Sequence, residues 1–232
     1  MARTRGIVSL TYDGTQLCHV ETALPDLQRA GLTATFYAEP ATLLDHYPTW
    51  KQAQAAGHEI GNGSLIGAAL PDGSLPAWTT EMILDDLSEA DDLLDELFPM
   101  QGEDSIALPF GNPQCADRAD YVPELQSRYS VIRLGETGVN AAALSSANSL
   151  KVIDPSDLNG NQLAQIARQA VQNPTWIVFG FDGIGSGRRS IDHAAHVQLL
   201  DFLAQNADLV EILPVIRAAQ MLNRQGQTAK LV

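Results

Sequence analysis

Two aspartates stand where buried apolar runs end. Asp13 closes GIVSLTYD, which begins at Gly6, and Asp182 closes TWIVFGFD, which begins at Thr175. A carboxylate at the end of a buried strand must be paired or wet. If two such groups face each other across one mouth, their repulsion raises one pKa. A carboxylate pair of this kind can move protons without a metal. Tyr12, Trp78, Phe110 and Asn112 are candidates for the lining of such a cleft. Aromatic faces stack on sugars, although they also fill cores.

Other residues with chemical potential read as structural. His58 and Glu59 lie on an inner strand, and His193 and His196, three apart after Ser190 and Asp192, read as surface or capping residues of a helix. His19 with Cys18 is considered as a metal site and set aside. The two cysteines, Cys18 and Cys115, match no zinc or redox spacing. Glu81, Asp85, Glu89, Asp92 and Glu96 form the solvated face of a helix. GIGSG, Gly183 to Gly187, lacks the lysine and the spacing of a phosphate-binding loop.

The elements that must position these groups alternate between strand and helix. Strands are expected at GIVSLTYD, TATFYAEP (from Thr33), HEIGN (from His58), SIALPFG (from Ser105), SVIRLG, LKVIDP, TWIVFGFDG and LVEIL. Helices are expected over Val20 to Arg29, Leu43 to Ala56, Thr79 to Phe98, Leu163 to Val171, Ala194 to Ala207 and Ile216 to Leu222. The clearest is Thr79 to Phe98, where Ile83, Leu87, Ala90, Leu94 and Leu97 recur at helical spacing. A Gly/Pro-rich stretch from Gly63 to Pro76 reads as an active-site loop. Buried strands alternating with amphipathic helices argue for a parallel sheet, and seven or eight units favour a closed or nearly closed barrel. Sites on such barrels sit at the C-terminal ends of the strands. One domain over residues 1–232 is expected.

In this order, the strand-end segments LTYDG, GHEIGNGSLIG, ALPFG and FGFDGIG resemble the motifs of the polysaccharide deacetylase (NodB-like) family. So do LPDLQRAGLTATFY and QAAGHEIGN. The resemblance implies an α/β fold, a distorted (β/α) barrel of seven to eight strands. It implies hydrolysis of N- or O-acetyl groups on sugar polymers, with a metal ion that activates water and polarises the acetyl carbonyl. Carried over residue by residue, Asp13 matches the base aspartate. The metal-ligand positions fall on Gly14, Gly63 and Gly67, and the acid histidine's position on Asp182. Glycine has no side chain to coordinate a metal, so neither a metal nor another cofactor is expected. The arginine that often holds the base aspartate is replaced by Ala107, and Arg133, at the end of SVIR, is a candidate to supply that cation. The catalytic candidates are thus Asp13, Asp182 and Arg133. The substrate-binding candidates are Tyr12, Asn62, Pro109, Phe110 and Gly111.

The formal net charge of -14 disfavours nucleic acid and anionic membranes as partners. No signal peptide or membrane span is evident, and a cytoplasmic, reducing setting is the simplest expectation. A homo-oligomer is left open. Three functions fit these residues. The first is a non-catalytic homologue whose cleft binds a carbohydrate, a small acetamide or a cyclic amide. The second is a metal-independent hydrolase of C–N bonds using Asp13 and Asp182. The third is a metal-dependent sugar deacetylase with substitute ligands.

Overall fold

The structure is a computed structural model that describes residues 5–67, 78–99, 104–116, 120–142, 147–187 and 189–229. Its strands are β1 (Ile7–Asp13), β2 (Thr35–Ala38), β3 (Glu59–Asn62), β4 (Ser105–Ala107), β5 (Val131–Thr137), β6 (Asn140–Ala141), β7 (Ala147–Val152), β8 (Thr175–Phe181), β9 (Gly183–Ile184), β10 (Ser190–Ile191) and β11 (Glu211–Ile212). Seven of them run parallel in the order β8-β1-β2-β3-β4-β5-β7. The last gap is bridged just past β7. Ile153 N–H donates to Val178 O at 2.8 Å, and Gly180 N–H donates to Ile153 O at 3.0 Å. The result is the nearly closed (β/α) barrel that the alternation and the motifs imply.

Below that bridge the seam is stitched by a side chain. β6 pairs antiparallel with β8, bringing Asn140 opposite Trp176. Asn140 Nδ2 donates to Lys151 O (2.9 Å) and to Trp176 O (3.3 Å), while its Oδ1 accepts from Lys151 N–H (2.9 Å). One buried amide thus satisfies backbone groups of both strands where the ladder is missing, as buried polar groups require.

Around the barrel lie α1 (Leu24–Ala30), α2 (Pro40–Asp45), α3 (Tyr47–Ala55), α4 (Thr80–Leu97), α5 (Val122–Leu125), α6 (Gly160–Gln172), α7 (His193–Gln205) and α8 (Val215–Ala229). α4 is capped by Thr79, whose Oγ1 accepts from Met82 N–H, and it buries Ile83, Leu87, Ala90 and Leu94. Its five expected wet-side acids are exposed. Among the described residues, no helix is long and apolar enough to cross a membrane. The Gly63–Pro76 loop falls mostly outside the described residues.

Two expected helices are each divided. The first is a π-helical turn, His19–Ala23, leading into α1, with Pro25 at the start of the α-helix. The second breaks at His46 (φ −129°), two residues before Pro48. Proline offers no N–H to continue the ladder, so each proline sits in the first turn of a new helix.

Strand alternation decides what reaches the barrel interior, because successive side chains point to opposite faces. On β1, Ser9 and Thr11 face inward, where Trp176 Nε1–H donates to Ser9 Oγ (3.0 Å) and Thr11 Oγ1 donates to Phe179 O (2.8 Å). Val8, Leu10 and Tyr12 face outward into the core shared with α1 and α7. At the other end of the barrel, buried Glu59 accepts from Thr35 Oγ1 (2.9 Å), Ser105 Oγ (2.5 Å) and Ile216 N–H (3.1 Å), fastening the start of α8 beneath the sheet.

Candidate functional site

A cleft of about 190 Å³ opens where the barrel strands end, and it is lined by strand-end residues of β1, β2, β3, β4, β5, β7 and β8. Its floor is an ion pair. Arg133 Nη2 donates to both carboxylate oxygens of Asp13 at 2.7 Å, and Nη1 reaches Thr11 Oγ1 at 3.3 Å. The guanidinium lies 4.9 Å from the centre of the Tyr37 ring. Burial works most strongly against its charge, but Asp13, Tyr37 and Asp182 together outweigh it and hold its pKa above the ordinary value. Gly180 leaves the room this requires: a Cβ there would stand 2.5 Å from Arg133 Nη1.

Asp182, the second carboxylate, is held from the β1 side. Gln16 Nε2 donates to Asp182 Oδ1 at 2.7 Å and to Asp182 O at 3.0 Å. His19 supports the same turn. Its Nδ1 accepts from Gln16 N–H (3.2 Å), so Nε2 carries the proton and donates to Asp182 O (2.7 Å). Burial pushes the His19 pKa down to about 4, so the ring is neutral at pH 7. The π-helical turn places His19 there, in keeping with the frequent use of π-bulges at functional positions.

Gly14, Gly63 and Gly67 all line this cleft. A Cβ at Gly63 would stand 2.8 Å from Ala38 O and 2.9 Å from Tyr37 O, so rigid backbone fills that space. Gly14 and Gly67 have φ of +86° and +59°, and a Cβ at either would lie 3.3 Å from Glu39 Oε1. Among the described residues, no three His, Cys, Asp or Glu side chains converge so as to hold a metal ion. The residues present therefore do not fit the divalent ion that the motifs imply. Thr15, Ser64 and Phe110, each beside a strand end, share positive φ with Arg189. Left-handed non-glycine residues of this kind gather at functional sites.

The structure brings together Asp13, Asp182, Arg133, Pro109, Phe110 and Gly111 in the lining. Four expected cleft residues are corrected. Tyr12 is fully buried on the outer face of β1, stacked on Phe36 (4.9 Å) and Phe181 (5.0 Å). Asn62 likewise points outward, donating to Leu87 O (2.9 Å) and Asp91 Oδ1 (2.6 Å). Both lie one residue out of phase with the inward series. Trp78 packs with the cluster around Ile83, and neither it nor Asn112 lines the cleft.

His196 is also corrected: it is fully buried rather than on the surface. Its Nδ1 bonds Asp26 Oδ2 (3.2 Å) and its Nε2 bonds the Tyr12 hydroxyl (2.8 Å), while His193 Nε2 bonds the same Asp26 oxygen at 2.8 Å. Sequence reading missed Gln16, Glu39, Asp154 and Arg189. The last two form an ion pair at the cleft rim.

Comparison with known proteins follows the same lines. A family model described as polysaccharide deacetylase matches residues 2–126. None of the curated proteins compared matches the chain. Among solved structures, the peptidoglycan deacetylase PdaC from Bacillus subtilis superposes with a TM-score of 0.61 at 15% identity, covering 98% of this chain and 96% of that one. The Xyl-CE4 domain of a multidomain xylanase, from the hindgut metagenome of Trinervitermes trinervoides, gives 0.60 at 12% identity, covering 94% and 91%. A CE4 family pseudoenzyme from Bacillus anthracis, in a mutant with restored enzymatic activity, gives 0.62 at 14% identity, covering 93% and 68%. At these identities the likeness establishes the fold.

Proposed function

The chain belongs to the polysaccharide deacetylase family, and on that premise we propose that its cleft binds a carbohydrate or a small amide without metal-dependent deacetylation. The observation that carries this reading is the glycine at all three positions matched to metal ligands, each facing the cleft. A deacetylase of the usual kind needs a cation to lower the pKa of water and to polarise the acetyl carbonyl. Here the polar groups are carboxylate acceptors and arginine donors, which suits hydrogen bonding to hydroxyl and amide groups.

A second reading is supported by Asp13 and Asp182 lining the same cleft: hydrolysis of a C–N bond by a proton-handling carboxylate pair. The hydrogen bonds weigh against it. Asp13 accepts from Arg133 with both oxygens and Asp182 accepts from Gln16, whereas one member of such a pair must carry a proton to donate.

The test is metal content by elemental mass spectrometry on protein purified without a metal-affinity tag and dialysed against trace zinc. Chito-oligosaccharide binding and turnover are then measured with and without chelator. Substoichiometric metal with binding and no turnover is expected. Near-stoichiometric zinc with chelator-sensitive turnover would overturn the reading. Turnover that survives chelator and is lost in Asp13→Asn would favour the carboxylate pair.

A further inference from the structure

We propose that Asp86, on α4 and outside the cleft lining, is a positioning residue that holds the turn over residues 63–67 as the β3 wall of the cleft. The inference rests on the carbohydrate-binding reading above and names a residue through which that same site is shaped.

α4 buries an apolar face formed by Ile83, Leu87, Ala90 and Leu94, and Asp86 is buried among them. A carboxylate in such a place is costly unless hydrogen bonds offset the loss of water. An apolar side chain would suit the face better, so the acid marks a point where the helix pattern yields to another requirement. Its hydrogen bonds identify that requirement. Asp86 Oδ2 accepts from Ser64 Oγ–H at 2.6 Å and from Leu65 N–H at 3.2 Å. Ser64 Oγ in turn accepts from Gly67 N–H at 3.0 Å. A chain of hydrogen bonds thus runs from α4 to Gly67, which lines the cleft.

The turn is fixed differently at its two ends. Gly63 N–H donates to Ala38 O at 3.0 Å, continuing the ladder between β2 and β3. Past Gly63 the backbone leaves the sheet. Ser64 takes a φ of +82°, and its N–H donates to Asn62 Oδ1 at 2.7 Å. A serine keeps a left-handed conformation only where its surroundings over-determine it. Asn62 and Asp86 supply that constraint, one from the end of β3 and the other from α4. Gly63 and Gly67, two of the three positions matched to metal ligands, both line the cleft. Asp86 acts on that wall through Ser64 and Leu65.

The test compares wild type, Asp86→Leu and Asp86→Asn. Leucine suits the apolar face but accepts no hydrogen bond, whereas asparagine keeps an acceptor oxygen. Two readouts are taken on folded protein. One is amide exchange at Leu65 and Gly67, with Leu87 and Ala90 of α4 as reference. The other is calorimetric titration with the N-acetylglucosamine tetramer. Asp86→Leu is expected to speed exchange at Leu65 and Gly67 by about tenfold or more, to leave Leu87 and Ala90 unchanged, and to weaken tetramer binding by about tenfold. Asp86→Asn should stay within about threefold of wild type in both. Wild-type exchange at Leu65 and Gly67 in Asp86→Leu would overturn the inference, as would faster exchange spread through α4, or a released turn with undiminished affinity. A loss in Asp86→Asn equal to that in Asp86→Leu would overturn the role given to the acceptor oxygen. If Asp86→Leu does not fold, Ser64→Gly suits the left-handed backbone while removing the hydroxyl, and wild-type affinity in that variant would overturn the inference. Failure of the tetramer to bind wild type would overturn the carbohydrate reading, and exchange at Leu65 and Gly67 then decides whether Asp86 holds the turn.

Discussion

Arg133 crosses from β5 to grip Asp13 at the end of β1, one Nη2 nitrogen lying 2.7 Å from each carboxylate oxygen. The two partners differ in their access to water: the arginine side chain is 8% exposed and the aspartate 38%. Removing either does not cost the same. Asp13→Asn strands a buried guanidinium, while Arg133→Met leaves a carboxylate that water can still reach. Breaking a buried pair costs about 3–5 kcal/mol, and partial exposure reduces that. Urea unfolding should therefore show Asp13→Asn as the more destabilising change, by about 1–2 kcal/mol. Equal losses would mean that the pair behaves as a surface contact.

The barrel and the Asp13–Arg133–Asp182 grouping were legible because each of these residues closes a buried apolar run, where barrel sites form. Tyr12 and Asn62 were misplaced because proximity to a strand end was used without its phase. Counting inward positions in twos from Thr11 gives Asp13, from Thr35 gives Tyr37 and Glu39, and from Val178 gives Gly180 and Asp182. Each of those products lines the cleft, and the same step from Val152 gives Asp154. Glu39 and Asp154 were therefore within reach of the pattern. Gln16 and His19 were not, since a loop after β1 and the start of a π-helical turn, rather than a repeating period, direct them at Asp182. Arg189 comes from a loop residue with φ of +47° and follows no period.

Acid should weaken this protein before its carboxylates titrate in number. Burial pushes His19, His58 and His196 each down to about 4 in the folded state, against an ordinary value near 6.5. Between those values the unfolded chain binds protons that the folded chain refuses, so stability falls as pH falls from about 6.5 toward 4. Each histidine contributes a slope of about 1.4 kcal/mol per pH unit at most. Glu59 acts in the opposite sense, since burial raises its pKa and favours the acid form of the fold. Urea midpoints between pH 7.5 and 5 should fall, and the decline should be shallower in His58→Gln. A flat profile would refute neutral burial of these rings.

Below the backbone bridge at Ile153, the seam between β7 and β8 is held by the side chain of Asn140. Asn140 is 5% exposed and serves Lys151 N–H, Lys151 O and Trp176 O. Asn140→Ala leaves these groups without their partner and should cost about 2–4 kcal/mol. Asn140→Asp keeps the acceptor for Lys151 N–H but cannot donate to either carbonyl, so it should fare no better. Urea denaturation with amide exchange on β7 and β8 checks this. Exchange confined to those two strands would locate the loss at the seam, and wild-type protection there in Asn140→Ala would sink the assignment.

Restoring the family's metal ligands should not by itself restore a metal site. In Gly63→His the new Cβ would meet Ala38 O at 2.8 Å and Tyr37 O at 2.9 Å, both backbone atoms of β2 that cannot yield cheaply. Overpacking of this kind typically costs 1–3 kcal/mol. Gly14→Asp and Gly67→His would each force an L side chain to φ of +86° or +59° and bring it against Glu39 Oε1. The penalty at left-handed positions is of order 1 kcal/mol or more apiece. The triple variant should thus unfold at markedly lower urea than wild type and bind zinc substoichiometrically. Adding Glu39→Ala relieves the contact at Gly14 and Gly67 but not the one at Gly63, so it should recover only part of the lost stability. A triple variant as stable as wild type and holding one zinc per chain would show that the β2–β3 backbone adapts readily, and that glycine at these positions reflects something other than the space they have.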